Sequence, residues 1–542
     1  GPFLGTAYDP AILYHCPMTN RGLVLGNEAP GVMKRTSIGV GKGSNLLDVQ
    51  VGLTHAEDKY AFREWLNPGE SWESDYTFIS PYKDEPDPYQ VIDDEINRFV
   101  TNHMDTRIAC VGAIPSLIYN TWKPFGEHIN EPLVKELADA ADECGADCFI
   151  IDAGWYSEKV KSGKGWMQSS GDFFVDKDKF PDGLTPVYNY MHQKLPACGL
   201  WFSVSTAGKT TDVFKNNPDW FVKDMKGEYA NLHTYDNKIA TGCLTTVWYD
   251  YILDHLNDAV KEYALNYLKV DLSTVVSAYR NDHEEVSGCA ALNHENHKDR
   301  NESYLRLYRR TYSLFDELHR KYRDLYIDCT FELMGAYQLI DYSAIQHAEG
   351  NWLSNFYGSY PSFGLDIRHL AWWRSPMMPA ASLLIGNADL DDEHALYYLK
   401  CLAGTLPVML GDLRKISPDK RSEIKEYVTM LREVEKRHHY MLYRQELFGF
   451  GEPREGGWDG WQRINRETES GGLAGVFRHG SKDMQRRVTI NYLNPAQKYH
   501  VIDLETGKTV MTASGESIKE QGFEVTITKE YDGKLFEIRT LD

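Results

Sequence analysis

The chain has 542 residues, 42% of them hydrophobic and 25% charged, which is typical of a soluble globular protein too long for a single core. Its formal charge of -21 opposes binding to phosphate backbones, so no nucleic-acid partner is expected. No apolar run approaches the roughly 18 residues that cross a bilayer, so no membrane span is predicted. The chain begins Gly1-Pro2, which is typical of a cleaved purification tag, so a secreted, periplasmic or cytoplasmic location is left open.

Residues 1–90 are predicted to form an N-terminal β-sandwich region, because short apolar runs there are broken by Gly, Pro and Asn. The stretch 80–94 holds three prolines and many acids, the composition of a linker. We therefore expect a domain boundary near residue 90.

Residues 91–440 alternate short apolar runs with helical patterns, as parallel βα units do. A helix is predicted over 131–144, where Leu133, Leu137 and Ala141 recur at helical spacing. About eight units without a glycine-rich phosphate loop favour a (β/α)₈ barrel over an open doubly wound sheet. The predicted strands lie at 117–122, 148–155, 199–205, 267–273 and 325–331, and near residues 345, 383 and 408.

Two patterns define the end of the chain. Ser417 and Pro418 are typical of a helix start, and Ile424, Tyr427 and Leu431 would share one face of that helix. Residues 441–542 alternate apolar and polar positions between turns, which predicts an antiparallel C-terminal β-sandwich.

The most informative strand is 267–271, Tyr-Leu-Lys-Val-Asp. Catalytic groups of barrel enzymes lie at the C-terminal ends of the strands, and two-residue spacing puts Lys269 and Asp271 on one face. A neighbouring ammonium would favour the ionised carboxylate that a nucleophile needs. A purely structural ion pair is the alternative.

Two further regions deliver polar groups to strand ends. Asp152 and Trp155 follow the second apolar run and could bind a hydroxyl and stack on a sugar face, although Asp152 could equally cap a helix. Residues 346–355 crowd polar side chains after two candidate strands; His347 among them is interpreted as a core histidine.

Five segments in order resemble motifs of the retaining α-galactosidases, glycoside hydrolase family 36, over most of residues 60–542. They are Tyr119-Asn120-Thr121-Trp122, Ile151-Asp152-Ala153-Gly154-Trp155, Lys179-Phe180-Pro181-Asp182-Gly183-Leu184, Gly199-Leu200-Trp201-Phe202 and Tyr267-Leu268-Lys269-Val270-Asp271. The resemblance implies a barrel enzyme that removes a terminal α-linked galactose-type sugar. It makes Asp271 the nucleophile, and Asp152 and Lys269 ligands of sugar hydroxyls.

The acid/base of such relatives is the aspartate of a Trp-Thr-Ser-Asp motif, and Asn355 stands at that position in Trp352-Leu353-Ser354-Asn355. A carboxamide cannot donate the proton. One interpretation is that Asn355 replaces an aspartate to trap substrate. Alternatively Glu349, Glu332 or Asp366 donates the proton, or the barrel is a catalytically inactive carbohydrate-binding protein.

Two departures from the family concern the sugar. Ala153 replaces an aspartate that holds outer hydroxyls, and Cys329-Thr330-Phe331-Glu332 replaces a glycine-rich loop near the sugar C2. A carboxylate at Glu332 could pair with a 2-ammonium group, which makes galactosamine a candidate beside galactose. The alternative is a solvated Glu332 on a loop.

The remaining expectations concern pocket walls, cofactors and partners. Aromatic walls are expected from Trp122, Trp155, Trp201 and Trp352, although tryptophans of barrels are more often core residues. No metal or organic cofactor is expected, because the nine cysteines are scattered and no Cys, His or acidic cluster has ligand spacing. An oligosaccharide substrate is the expected partner, and homo-oligomers and raffinose-synthase-type transglycosylation occur among relatives.

Overall fold

The computed structural model describes residues 10–40, 47–53, 62–157, 165–230, 238–273, 288–330, 342–375 and 378–541. Its N-terminal part is built from antiparallel strands: β1, β2 and β5 form one sheet, and β3 pairs with β4. The strands are β1 (Ala11–Cys16), β2 (Arg21–Asn27), β3 (Lys34–Val40), β4 (Leu47–Leu53) and β5 (Thr77–Tyr82).

The segment predicted as a linker over 80–94 is shorter in the structure. Strand β5 continues to Tyr82, and helix α1 (Pro88–Val91) begins only six residues later. Asp87 caps that helix by accepting a hydrogen bond from the Tyr89 N–H at 2.9 Å. The acids and prolines therefore mark a strand end and a helix start, and α2 (Asn97–His103) follows directly after a π-helical turn.

The central part contains a nine-stranded parallel sheet with the order β16-β15-β14-β13-β10-β7-β6-β18-β17. Leu406 N–H donates to the Leu383 carbonyl at 3.0 Å and closes the sheet into a barrel. The predicted (β/α)₈ barrel is confirmed. The strands of this part are β6 (Ile118–Asn120), β7 (Cys148–Ile151), β8 (Tyr156–Ser157), β9 (Phe174–Val175), β10 (Ala197–Ser203), β11 (Thr206–Gly208), β12 (Ile239–Thr241), β13 (Tyr267–Asp271), β14 (Tyr326–Thr330), β15 (Gly350–Ser354), β16 (Leu383–Ile385), β17 (Ala388–Asp389) and β18 (Val408–Leu410).

Helices cover the outside of the barrel. Helix α4 buries Leu133, Leu137 and Ala141 as predicted, with Asn130 as its cap. Helix α12 begins at Pro418 with Ser417 as its cap, which confirms that prediction too. The helices are α3 (Trp122–Phe125), α4 (Glu131–Glu143), α5 (Thr185–Met191), α6 (Asp212–Asn216), α7 (Trp248–Tyr263), α8 (Arg300–Lys321), α9 (Tyr342–His347), α10 (Ser362–Arg374), α11 (Ala395–Leu402) and α12 (Pro418–His438).

One predicted strand is wrong. The apolar run near Ile345 forms helix α9, and the sixth barrel strand is β15, which begins at Gly350. A short buried run does not distinguish helix from strand by periodicity, because both faces are apolar. His347 was predicted to be a core histidine. It is only partly buried, and its Nδ1 lies 2.8 Å from Asp316 Oδ1.

The C-terminal part is a six-stranded antiparallel sheet, β19-β20-β21-β26-β23-β24, faced by the pair β22-β25. Both sheets contribute to one core, as Val476, Phe536 and Val525 illustrate. Arg368 on α10 makes a buried two-fold salt bridge to Asp459 at 2.7 and 2.9 Å, which fastens this part to the barrel. The elements are β19 (Gln445–Glu446), β20 (Gly457–Asn465), β21 (Gly471–His479), β22 (Gln485–Val488), β23 (Lys498–Asp503), β24 (Thr509–Ser514), α13 (Gly515–Glu520), β25 (Phe523–Thr526) and β26 (Tyr531–Thr540).

Candidate active site at the barrel mouth

Asp271 is the last residue of β13 and is partly exposed at the C-terminal mouth of the barrel. Its Oδ2 accepts a hydrogen bond from Trp201 Nε1 at 2.9 Å. Its Oδ1 accepts from Thr330 Oγ1 at 3.1 Å and from the Leu272 N–H at 2.7 Å. Three donors fix the orientation of the carboxylate.

Lys269 lies one pleat below Asp271 and is buried. Its Nζ donates to Asp152 Oδ2 at 2.8 Å, so the salt bridge predicted with Asp271 is made with Asp152 instead. Burial alone would lower the pKa of Lys269, but the charges of Asp152 and Asp271 raise it above its ordinary value. The lysine therefore stays cationic and supports both carboxylates electrostatically.

Asp152 directly follows β7 and is held on all sides by protein donors. Asn120 Nδ2 donates to its Oδ2 at 2.6 Å, and the Ala153 N–H donates to its Oδ1 at 2.8 Å. The backbone N–H of Asp152 donates to Thr121 Oγ1 at 2.9 Å. Asn120 and Asp152 thus form one buried network with Lys269, which links the neighbouring strands β6 and β7 to β13 across the intervening β10.

Aromatic side chains surround this network. Trp352 places its ring 4.1 Å from Lys269 Nζ, a cation–π contact. Trp155 is buried and donates through Nε1 to the Trp201 carbonyl at 3.0 Å. Trp122 is only partly buried and packs edge-on against Trp166, so of the four predicted wall tryptophans it is the most open.

Asn355 is exposed and directly follows β15, whose C-terminal end meets the same rim as Asp271. Its backbone carbonyl accepts from Asn387 Nδ2 at 3.0 Å, which fixes the chain after the strand. A side chain at this position therefore stands at the barrel mouth.

Comparison with known proteins shows which proteins the chain resembles. Residues 95–359 match the family model described as Melibiase. A probable alpha-galactosidase C of Aspergillus oryzae is 27% identical over 206 residues, and alpha-galactosidase AgaA of Geobacillus stearothermophilus is 24% identical over 197 residues. The chain is therefore similar to α-galactosidase-type glycoside hydrolases of family 36, as the motifs predicted.

Solved structures share the fold of this chain. AgaA of Geobacillus stearothermophilus aligns over 98% of this chain and 71% of its own, with a TM-score of 0.72 at 15% identity. The alpha-galactosidase of Lactobacillus brevis aligns over 98% and 70%, with a TM-score of 0.73 at 16% identity. The two sequence matches cover 35% and 36% of this chain but only 26% and 25% of the relatives, so they span about a quarter of those proteins.

Glu349 lies at the opposite end of the barrel from Asp271. It precedes β15, and its Oε2 accepts from the Ile327 N–H at the start of β14 at 2.7 Å. Arg107 Nε lies 3.0 Å from its Oε1, and His319 Nε2 lies 3.1 Å from the same oxygen. The predictions that Glu349 contacts the sugar or donates the proton are therefore wrong.

Two other predicted residues, Cys329 and Asp366, are not brought to Asp271. Cys329 is buried in β14 between Asp328 and Thr330, on the other face of the strand. Asp366 lies on helix α10, outside the barrel. Burial raises its pKa, and the charges of His369 and His479 offset only part of that rise. Glu332 lies outside the described residues, as does Asp341.

Several residues around the two carboxylates were not predicted to have a role. Thr330 and Asn120 contact Asp271 and Asp152, and both stand in the segments 329–332 and 119–122 that were compared with the family motifs. Tyr156 stacks on Trp201 with ring centroids 5.8 Å apart. Burial, then the charges of Asp152 and Asp271, raises its pKa well above the ordinary value, so this phenol stays neutral. Its position directly after Trp155 was the available clue.

The motif at 179–184 has a structural role at the mouth. Lys179 Nζ donates to the carbonyls of Glu127 and Gly154, both at 2.7 Å. Gly154 has φ +106, and a Cβ there would lie 2.5 Å from Glu127 Cα, so only glycine fits. Lys179 and Gly154 together fix the turn that carries Asp152 and Trp155.

The expectation that no Cys or His cluster has ligand spacing is wrong. Among the described residues, Cys243, Cys289, His294 and His297 bring their ligand atoms within 4.8 Å of one another. Cys289, His294 and His297 lie within nine residues, and that spacing was the available signal; Cys243 lies 46 positions before Cys289 and joins them only through the fold. No helix in the described ranges is long and apolar enough to span a membrane.

Proposed function

We propose that this chain is an exo-acting glycoside hydrolase that removes a terminal α-linked galactose-type sugar with retention of configuration. The observation that carries the proposal is the carboxylate of Asp271. It stands partly exposed at the barrel mouth, oriented by Trp201 and Thr330 and supported by the charge of Lys269. A nucleophile must be fixed and accessible, and the hydrogen bonds and partial exposure of Asp271 support both conditions.

In the proposed first step, Asp271 attacks the anomeric carbon and forms a glycosyl ester while the glycosidic C–O bond breaks. The leaving oxygen takes a proton from the side chain at position 355 when that side chain is an aspartic acid. In the second step the same group removes a proton from water, and the water oxygen displaces Asp271. Two inversions at one carbon give net retention.

Asn355 changes which substrates can react. A carboxamide supplies no proton, so departure of a sugar or alcohol is slow. A phenol of low pKa leaves as a stable anion and needs no proton. The chain with Asn355 should therefore form the glycosyl ester from activated aryl glycosides but not from oligosaccharides.

The deciding experiment compares the chain with its Asn355→Asp variant on aryl α-galactosides and aryl α-galactosaminides whose phenols span a range of pKa. We expect a gain of about 10²- to 10⁴-fold that grows as the phenol pKa rises. Proton NMR of the first product should show the α anomer. Asn102→Asp, at an exposed asparagine of α2, is the matched control and should leave the rates unchanged.

Comparing the rates on the galactoside and the galactosaminide also identifies the preferred sugar. Preference for the galactosaminide would support pairing of Glu332 with a 2-ammonium group, whereas preference for the galactoside would remove that idea. Transfer to an added acceptor sugar in preference to water would instead indicate a transglycosylase. Absence of turnover by Asn355→Asp on every substrate would sink the hydrolase proposal and leave a carbohydrate-binding barrel.

A further inference from the structure

Four metal-binding side chains meet in a buried cluster beside the barrel mouth, Cys243, Cys289, His294 and His297, called the Cys–His cluster below. The two sulfurs belong to fully buried residues, and the two histidines are only 6% and 3% exposed. Buried polar atoms normally have hydrogen-bond partners. Here four of them point at one another.

Distances within the Cys–His cluster match a tetrahedron around one ion. His294 Nδ1 lies 3.2 Å from His297 Nε2, and Cys289 Sγ lies 3.4 Å from His294 Nδ1. Tetrahedral zinc, with bonds of about 2.0 Å to nitrogen and 2.3 Å to sulfur, separates ligand atoms by about 3.3 Å for two nitrogens to about 3.8 Å for two sulfurs. One cation at the centre would satisfy all four atoms at once.

Surrounding groups hold the two sulfurs in place. The Lys223 N–H points at Cys289 Sγ from 3.5 Å, and the Cys289 N–H donates to Ser303 Oγ at 2.7 Å. Thr245 Oγ1 lies 3.0 Å from Cys243 Sγ. Donors of this kind stabilise thiolates and orient the ligands of metal sites.

The Cys–His cluster joins two segments that are far apart in the sequence. Cys243 lies between β12 and α7, in the long connection that follows β10. Cys289 and both histidines lie just before α8, in the connection that follows Asp271. Asn296 Nδ2 also donates to the Thr245 carbonyl at 2.8 Å, so the two segments are in contact beside the cluster.

We propose that Cys243, Cys289, His294 and His297 bind one structural Zn²⁺ ion that fastens the connection after the Asp271 strand to the connection after β10. Two thiolates and two imidazoles in a tetrahedron select zinc over the hard cations that prefer oxygen. Four protein ligands fill its coordination shell and leave no position for a reacting water. This site does not depend on the proposed glycosidase activity.

The first test uses the whole unaltered protein, purified from zinc-supplemented medium without chelator. Elemental analysis should find about one zinc per chain. Replacement of zinc by Co²⁺ should produce the visible d–d bands of tetrahedral cobalt and near-ultraviolet thiolate-to-cobalt charge-transfer bands. Less than about one tenth of an equivalent of zinc together with no cobalt spectrum would overturn the proposal.

A disulfide between Cys243 and Cys289 is the main competing arrangement. Thiol titration of the denatured, unreduced and metal-free protein should find all nine cysteines free. A count of seven, restored to nine by reductant, would overturn the proposal.

Variants assign the ligands. Cys289→Ser and His294→Ala should lower the affinity for zinc by about tenfold or more and make the melting temperature insensitive to chelator. Cys243→His keeps four ligands, so it should retain zinc while its cobalt charge-transfer band weakens. Cys110→Ser, at an exposed cysteine outside the cluster, should retain one zinc; equal zinc content in every variant would refute the assignment.

Discussion

Each end of the barrel holds one carboxylate that is surrounded by hydrogen-bond donors and lies near a cation. Only the carboxylate at the mouth, Asp271, remains accessible to solvent. At the mouth, Asp271 accepts three hydrogen bonds and is still partly exposed. At the other end, Glu349 is 0% exposed and is enclosed by Arg107, His319 and a backbone N–H. A charged network indicates chemistry only where one direction is left open to a substrate.

The middle of the barrel separates these two sites. Lys269, Asp328 and Trp201 occupy matching positions of adjacent strands, so they form one interior layer between the mouth and the base. Glu349 and Asn355 flank β15 and are six residues apart, which corresponds to about 20 Å along a strand. Changes at the two ends should therefore act independently.

The largest expected effect is that of Asp271→Asn, which removes the proposed nucleophile. In an Asn355→Asp background, we expect kcat on an aryl glycoside to fall by about 10⁴-fold or more, because the amide cannot form the glycosyl ester. Initial rates and circular dichroism of the same preparations would measure activity and folding. A residual rate within tenfold of the parent would assign the nucleophile to another carboxylate.

Local patterns account for what the sequence could predict at the mouth. Lys269 and Asp271 alternate on one short strand, and Asp152 ends another, so strand period and the position of barrel sites were enough to select them. The partner of Lys269 could not be selected this way. Whether Lys269 pairs with Asp152 or with Asp271 depends on the relative register of β7 and β13, which are more than 100 residues apart in the sequence.

Contacts between distant segments account for the errors. The sequence places Glu349 at the mouth because polar side chains crowd residues 346–355 after two candidate strands. Sequence alone does not show which of these residues precede the strand and which follow it. The Cys–His cluster likewise exists only after folding.

The second effect concerns Asp328 in the middle layer. Burial raises its pKa to about 7, although the charge of Lys269 opposes the rise. Between pH 4 and 7 the folded chain therefore keeps a proton that the unfolded chain loses, and stability falls as the pH rises. Asp328→Asn removes this loss, so its advantage over the parent should grow by roughly 3 kcal/mol between pH 5 and pH 8.

Urea denaturation at several pH values would measure the effect of Asp328→Asn. Asp250→Asn, at an exposed position of α7, should differ from the parent by a constant amount at each pH. Parallel curves for Asp328→Asn and the parent would mean that Asp328 is already ionised in the folded chain.

The smallest of the three effects should appear at the closed end. Glu349→Gln takes away the negative partner of Arg107 and turns an amide donor toward groups that themselves donate, so the free energy of unfolding should fall by about 3 kcal/mol. The folded fraction should keep kcat within about threefold of the parent, because the change lies a full strand length from the mouth. Asp271→Asn should do the reverse, with kcat lost and stability little changed. Urea denaturation curves and initial rates of both variants would measure the stability and kcat of each. A loss of kcat in Glu349→Gln without a loss of stability would mean that the two ends of the barrel are coupled.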